Sequence, residues 1–399
     1  MDKVEAKNDR ILGLKRNAFF LGLVSLFNDF SNEMVQSVMP VFLGVVLGVP
    51  PVGVGLIEGA ADAIASFLKI ISGWVSDKIQ KRKGLAILGY CLSILSRPFF
   101  ALAGSFSHVF ALRVMDRMGK GIREAPRDAL LAESVGYEEI AKSFGYHRAM
   151  DALGATIGPI AAFLILPFIN YDYRSLFIIA FFIGLLSIGT FVFVKDKKIS
   201  ENKTSSKLDF NLLRRNKRFI SYLIAIFIFG LGALPITLML LYPVSLAMNN
   251  GGGSLGAIPL LYFIYSGTFV LTAIPLGRLA DKTSKRLVVA LGFIAAVIAY
   301  IGLAMSHTFW GAAFFFVVFG LYSGATDGVQ RAMAARMVAP EFLATGEGLL
   351  NAATGTSALL AGLIGGLLWT IYGPAAAFIY GAVFSGLGFV VFVIFSLRK

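Results

Sequence analysis

The sequence predicts an all-α polytopic membrane protein, with twelve transmembrane helices in two pseudo-symmetric six-helix bundles and both termini cytoplasmic. Three observations carry that expectation. The 399 residues are 57% hydrophobic and only 15% charged, whereas a soluble domain carries about 25% charged residues. Mean hydropathy is +0.77, which excludes a disordered chain as well as an ordinary soluble one. Twelve mostly apolar segments reach the roughly 20 residues that a bilayer crossing needs.

In chain order the spans cover 17–47, 52–76, 85–105, 107–134, 142–168 and 173–194, then 219–248, 254–280, 287–305, 308–338, 343–369 and 373–396. Several are longer than a crossing requires, so tilt or extension past the bilayer is expected. The 43 glycines suit helices that approach closely,. Asp29 and Glu33 interrupt the first apolar stretch, and no small-residue cleavage motif follows it, so it is expected to be a span rather than a cleaved leader,.

The loops alternate in charge. Lys78, Lys81, Arg82 and Lys83 follow span two, and Arg278, Lys282, Lys285 and Arg286 surround the end of span eight. The stretch 195–218 holds nine bases against three acids. Loops after odd-numbered spans are short and nearly free of Lys and Arg, apart from Arg174. The positive-inside rule therefore places both ends and the central loop in the cytoplasm of a cell-membrane protein. The net charge of +13 lies largely on that rim, so it marks topology and lipid headgroups, not nucleic acid. One cysteine and three histidines leave no material for a disulfide framework or a metal centre, and no motif asks for a cofactor,.

The polar stretch divides the chain into 1–194, a linker at 195–218, and 219–399. The two halves echo each other. Gly73-Trp-Val-Ser-Asp77-Lys78 ends span two, and Gly277-Arg-Leu-Ala-Asp281-Lys282 ends span eight, at an offset of 204 residues. Gly145 and Gly154 match Gly346 and Gly355 at an offset of 201. Such duplication marks a large class of secondary transporters.

Three motifs sharpen this. Gly73-Trp-Val-Ser-Asp77-Lys78-Ile-Gln80-Lys81-Arg82-Lys83 resembles the loop 2–3 signature of the major facilitator superfamily, with Gln80 in place of the second glycine and Ser284 there in the other half. Arg113-Val-Met-Asp116-Arg117-Met-Gly119 resembles the superfamily's span-four arginine motif, with Arg117 where glycine is usual. Gly154-Ala-Thr-Ile-Gly158-Pro159 resembles the span-five motif of its antiporters, with Ala161 and Ala162 replacing the trailing glycines. The resemblance covers the whole chain. It implies a cytoplasmic gate built from Gly73, Asp77, Lys78, Arg82, Gly277, Asp281 and Lys282. It also implies a helix seal at Gly154, Gly158 and Pro159, against the plainer reading of small residues for helix packing. A small-molecule substrate, protons, the lipid bilayer and a monomeric state complete the implied description.

Ionisable groups inside spans cost about 2.5–3.5 kcal/mol each on insertion scales, which makes them functional candidates. Asp29 and Glu33 share a face of span one at i, i+4 spacing,. Span two carries Glu58, Asp62 and Lys69; span four carries Arg113, Asp116, Arg117, Lys120, Arg123, Glu124, Arg127 and Asp128; span five adds Arg148 and Asp151. A rise of about 1.5 Å per residue puts Glu33 level with Arg117 or Arg113, and Asp29 level with Arg123 or Lys120. With Lys69 and Arg97, the interior of this half counts eight acids against eight bases. Two readings stand: a permanently ionised, paired network, or carboxylates that exchange a proton. Burial raises a carboxylate's pKa in general and a nearby arginine lowers it, so small movements can switch protonation. The cavity candidates are Asp29, Glu33, Glu58, Arg113, Asp116, Arg117, Arg123 and Asp151. In the second half, Tyr222, Pro235, Thr237, Tyr242 and Pro243 of span seven offer the material of an aromatic, apolar wall,, although for any single aromatic ordinary lipid and helix packing is the better expectation.

The expected function is proton-coupled export of a drug-like or metabolite substrate by alternating access. The alternative is proton-coupled uptake or exchange of an organic or inorganic anion, which the arginine-rich span four suits. A membrane enzyme lacks its motifs: no His-Glu-x-x-His, Gly-x-Ser-x-Gly or phosphate loop is present,. A channel fits the half-repeat and gate-like loops less well.

Overall fold

A computed structural model describes residues 10–79, 82–135, 139–195, 216–249, 255–339 and 342–397. Most of the linker read at 195–218 lies outside them. The first described element is a hairpin, β1 (Arg10–Ile11) paired antiparallel with β2 (Leu14–Lys15). Its two turn residues, Leu12 and Gly13, both have positive φ (50° and 76°), as a tight hairpin whose twist matches its strands requires. Sequence reading gave no hint of it.

Helices follow as α1 (Arg16–Val41), α2 (Pro51–Ile79), α3 (Arg82–Leu102), α4 (Phe106–Ser134), α5 (Ile140–Ile165) and α6 (Tyr173–Thr190). Then come α7 (Lys217–Leu231), α8 (Ile236–Asn249), α9 (Ile258–Lys282), α10 (Lys285–Met305), α11 (Phe309–Met337), α12 (Leu343–Tyr372) and α13 (Pro374–Leu397). With α7 and α8 sharing one apolar run, these make twelve span-length segments. Nine of them are long and apolar enough to cross a membrane among the described residues. The other three are α1, α2 and α4. Their shortfall has a chemical cause: these helices carry Asp29, Glu33, Glu58 and the arginine row of span four.

Two compact units result. The first comprises Met1–Gln36, Leu68–Ala103 and Ala111–Lys203; the second comprises Ser37–Phe67, Gly104–Phe110 and Thr204–Lys399. The C-terminal part of α1 and the N-terminal part of α2 therefore cluster with the second-half helices, so the compact units do not coincide with the halves of the sequence.

Three local solutions position the helices. In the first unit, Asp172 caps α6, accepting from the backbone amides of Arg174 (3.1 Å) and Ser175 (3.2 Å). The Ser175 hydroxyl also donates to it at 2.6 Å, and these bonds hold the Asp172 carboxyl below the usual carboxylate range. Also in that unit, α3 and α4 cross where a Cβ on Gly119 would lie 2.4 Å from the Gly89 carbonyl oxygen. In the second unit, Gly232–Pro235 interrupts span seven, and the buried Tyr300 hydroxyl accepts from the freed Leu234 amide at 2.9 Å. A break at membrane depth is tolerated only with such a replacement partner.

Two outcomes test this account. Tyr300→Phe removes one of the two acceptors of the Leu234 amide, which also donates to the Gly232 carbonyl at 3.0 Å, at a cost of about 0.5–1.5 kcal/mol; a lowered melting temperature in detergent is expected, and an unchanged melt would mean that the Gly232 carbonyl alone satisfies that amide. Asp172→Ala removes a cap worth about 0.5–2 kcal/mol. Because the folded carboxyl is more acidic than the unfolded one, its stabilisation is complete above the ordinary carboxylate range. It fades as pH falls through the lowered value, so the melts of wild type and variant should converge in acid.

Candidate functional site

The site is built in the first unit on the stripe that α4 presents. Residues 113, 116, 117, 120, 123, 124 and 127 recur at three- and four-residue steps, so they share one face. Arg113 is 1% exposed and lies 3.5 Å from Asp116 Oδ2, and its Nη2 donates to Gln36 Oε1 of α1. Gln36, about one turn beyond Glu33, is thus one acceptor on α1 for this guanidinium. Arg123 Nη1 donates to Ser93 Oγ at 2.6 Å, and its guanidinium stands 4.7 Å from the Tyr90 ring centroid. Glu124 pairs with Lys69 of α2, and Lys120 comes within 4.0 Å of it. Arg127 pairs with the neighbouring Asp128 at 2.8 Å. Asp116 and Arg117 are buried in the same row.

Facing this row, α1 carries Asp29 and Glu33, both half-buried. Each is braced by the asparagine before it: Asn28 donates to Asp29 at 2.8 Å and Asn32 to Glu33 at 2.9 Å. The charges acting on Asp29 are Asp151, Arg123, Glu33 and Lys120. The register argument named Arg123 and Lys120; the acid Asp151 is the added neighbour.

Asp151 reaches Asp29 because α5 lies almost against α1. A Cβ on Gly154 would fall 2.5 Å from the Leu26 carbonyl oxygen, and one on Gly158 would fall 2.7 Å from that of Phe30. The glycine face of α5 therefore packs on α1 within one unit, and Pro159 lies inside the same helix. Asp151 accepts from Ser25 of α1 and lies 3.5 Å from both His147 Nδ1 and Arg148 Nη1.

The eight-by-eight interior count needs correction at its edges. Arg148 is 65% exposed at its side chain, Lys120 44% and Asp128 38%. Glu58 is buried, but it belongs to the second unit with Asp62.

Of the gate residues, Asp77 has its side chain outside the described set. Lys78 lies over the Trp74 ring at 5.2 Å, and the buried Arg82 pairs with Glu133 at 2.8 Å. Asp281 is an exposed partner of Lys285 one turn on, and Lys282 is exposed. A Cβ on Gly73 would meet only Ala125 at an ordinary 3.6 Å, and one on Gly277 would meet nothing within 4 Å.

Sequence reasoning passed over several residues. Arg97 is 2% exposed; its Nη1 donates to Ser31 Oγ at 2.6 Å and its Nη2 to Asn28 Oδ1 at 3.2 Å. A Cβ on Gly184 would fall 2.1 Å from its Nη1. The second unit contains a glycine seam between α2 and α12. A Cβ on Gly55 would lie 1.9 Å from the Gly362 carbonyl oxygen and one on Gly366 2.6 Å from that of Pro51, while Gly59 faces Ala358 and Leu359. The Gly55-x-x-x-Gly59 spacing was the available signal. Tyr222 and Tyr242 donate to the carbonyls of Gln330 and Ser306, and their rings lie beside Phe392 (6.3 Å) and beside Trp369 and Phe378 (6.5 and 5.5 Å). A further aromatic series runs through Tyr265, Phe319, Tyr322, Phe229 and Phe293, with Tyr300 joined to Phe319 and linked ring centroids 3.7–5.7 Å apart.

The pattern of the Major Facilitator Superfamily matches residues 21–252 and 235–399. The chain is 31% identical over 380 residues, 94% of each chain, to the uncharacterized MFS-type transporter MJ1317 of Methanocaldococcus jannaschii. It is 28% identical over 331 residues, 78% of each chain, to the quinolone resistance protein NorA of Staphylococcus aureus. Its fold is similar to the crystal structure of the nucleoside transporter NupG, with a TM-score of 0.78 at 14% identity, covering 96% of this chain and 100% of that one. Helices of spanning length, the paired charges inside them and these likenesses agree: the chain belongs to the Major Facilitator Superfamily and is a multi-pass membrane transporter, not an enzyme.

Proposed function

We propose that this transporter exports a drug-like or metabolite solute across the cytoplasmic membrane by alternating access, in exchange for protons. In this reading all twelve segments span the bilayer, both termini face the cytoplasm, and residues 195–218 link bundles 1–194 and 219–399 in a monomer. The observation that carries the coupling is the position of Asp29. It is half-buried, held by Asn28, and set between the bases Arg123 and Lys120 and the acids Asp151 and Glu33. A carboxylate balanced between opposing charges responds to movements of its neighbours, because its preferred protonation state depends on their distance. Similarity to the quinolone resistance protein supports the direction of transport, and the aromatic group of the second unit suits a flat apolar substrate,.

A second reading rests on Arg97. Its guanidinium is buried with hydrogen bonds, among the described residues, only to the neutral Ser31 and Asn28, and it shares the charge of Asp116 with Arg113, Arg117 and Arg123, so an anionic substrate would complete its neutralisation,. It favours uptake or exchange of an anion. Melting-temperature shifts across a panel of cations, neutral compounds and anions separate the two, since shifts confined to anions would select the second.

The gate nearer the outside is assigned to the α2–α12 seam. Val52 N donates to Thr370 Oγ1 at 3.0 Å there, and the rest is close backbone packing. A leucine at Gly362 cannot be accommodated, so Gly362→Leu should hold the seam apart. In a C91S background, labelling of S66C by a membrane-impermeant maleimide should then rise several-fold; unchanged labelling would remove the seam from the gating scheme. For coupling, Asp29→Asn, Glu33→Gln and Asp116→Asn are each expected to lower pH-gradient-driven flux in proteoliposomes by about tenfold or more. Full driven flux in all three variants would end the proton-coupled proposal.

A further inference from the structure

His147 lies outside every motif that the sequence offers, yet it is among the most enclosed ionisable groups of the first unit, at 1% exposed. Its Nδ1 stands 3.5 Å from Asp151 Oδ2, and its Nε2 is buried without a hydrogen-bond partner among the described residues. A buried imidazole nitrogen left without a partner is costly unless it serves a purpose. The other oxygen of Asp151 accepts from Ser25 on α1, which fixes the carboxylate between the two helices.

The order along the helices is informative. Counting from the start of α5 at about 1.5 Å per residue, His147 is roughly 10 Å deep and Asp151 roughly 16 Å. On α1, which runs parallel to α5 through the Gly154 and Gly158 crossing, Asp29 is roughly 20 Å deep. Asp151 is also the foremost charged neighbour of Asp29. Imidazole and two carboxylates thus form a rising series from the side that the loop charges assign to the cytoplasm.

We propose that His147 and Asp151 form a proton-transfer pair that connects Asp29 with the cytoplasmic side. Resting on the proton-coupled reading above, the step balances as follows. Protonated Asp29 gives its proton to the Asp151 carboxylate. Asp151 passes it to Nδ1 of the neutral imidazole, while Nε2–H releases a proton toward the cytoplasm, so the ring ends neutral in its other tautomer. The charged groups around the pair are Arg148 on α5 itself, Arg127 and Asp128 from α4, and Asp29 from α1. Arg127 is engaged with Asp128, and Arg148 is largely exposed. Arginine does not titrate, so neither can replace the imidazole as carrier.

Selective isotope labelling of histidine gives three NMR signals, from His108, His147 and His307, assigned by single variants. In full-length protein in lipid nanodiscs, Asp151→Asn should move the His147 titration midpoint by about one pH unit, a tenfold change in proton affinity. Asp29→Asn should move it less, and the other two histidines should not move. In proteoliposomes with ethidium as the probe, His147→Gln should flatten the pH profile of transport. A His147 signal indifferent to Asp151→Asn, or a pH profile of His147→Gln identical to wild type, overturns the pair. Wild-type ethidium flux that ignores an imposed pH gradient is a different failure: it ends the coupling reading while the NMR titration still reports on the pair.

Discussion

A guanidinium taken out of water keeps its charge, so the protein must surround it with acceptors before any helix can settle around it. The first unit is organised by that requirement. Arg113 reaches across to Gln36, Arg123 to Ser93 and the Tyr90 face, and Arg97 to Asn28 and Ser31. Each of these contacts fixes one helix against another, so satisfying the charges also sets the spacing of α1, α3 and α4. Space has to be cleared as well. Gly184 is needed because the Arg97 guanidinium occupies the volume of a side chain there. The polar row on α4 is therefore part of the packing of the bundle, and the half-buried acids on α1 sit within a frame already held by arginines.

Glycine makes the second contribution, in two different ways. Where Gly154 and Gly158 bring α5 onto α1, the close approach lets acids on two helices act on each other. Where Gly55, Gly59, Gly362 and Gly366 bring α2 onto α12, the contact is mostly backbone against backbone, with the Val52–Thr370 hydrogen bond at one end. An interface of the first kind is tied by Ser25 and Asp151 and resists separation. One of the second kind relies on van der Waals fit, where each atom pair contributes little.

Much of this was legible in the sequence, for reasons that can be named. Apolar length located the twelve helical segments, because a span is defined by its own residues. Helical spacing put Asp29 and Glu33 on one face and gave the continuous row on α4. Depth counting brought Asp29 level with Arg123 and Lys120, since rise per residue needs no tertiary knowledge. What escaped detection depends on partners distant in the chain. Nothing local to Gln36 marks it as an acceptor for Arg113, nor does anything near Tyr300 announce that its hydroxyl serves Leu234. His147 looked like an isolated histidine because its meaning lies in Asp151 and, through it, Ser25 on another helix. The hairpin at Arg10–Lys15 was invisible because two-residue strands leave no periodicity to read.

The interruption at Gly232–Pro235 also bears on how the chain enters the membrane during synthesis. α7 has 15 residues, about 22 Å of helix at 1.5 Å per residue, short of a hydrocarbon core about 30 Å thick. It cannot be released into lipid as a finished crossing when it leaves the insertion machinery. It has to wait until α8 has emerged, and the two pieces then partition together as one apolar run. The acceptor for the interrupted backbone, Tyr300, is translated later still, near the end of α10. Until that helix arrives, the Leu234 amide has only the Gly232 carbonyl within the break as its acceptor, so the final shape of the seventh span is settled only when a later part of the chain has been made.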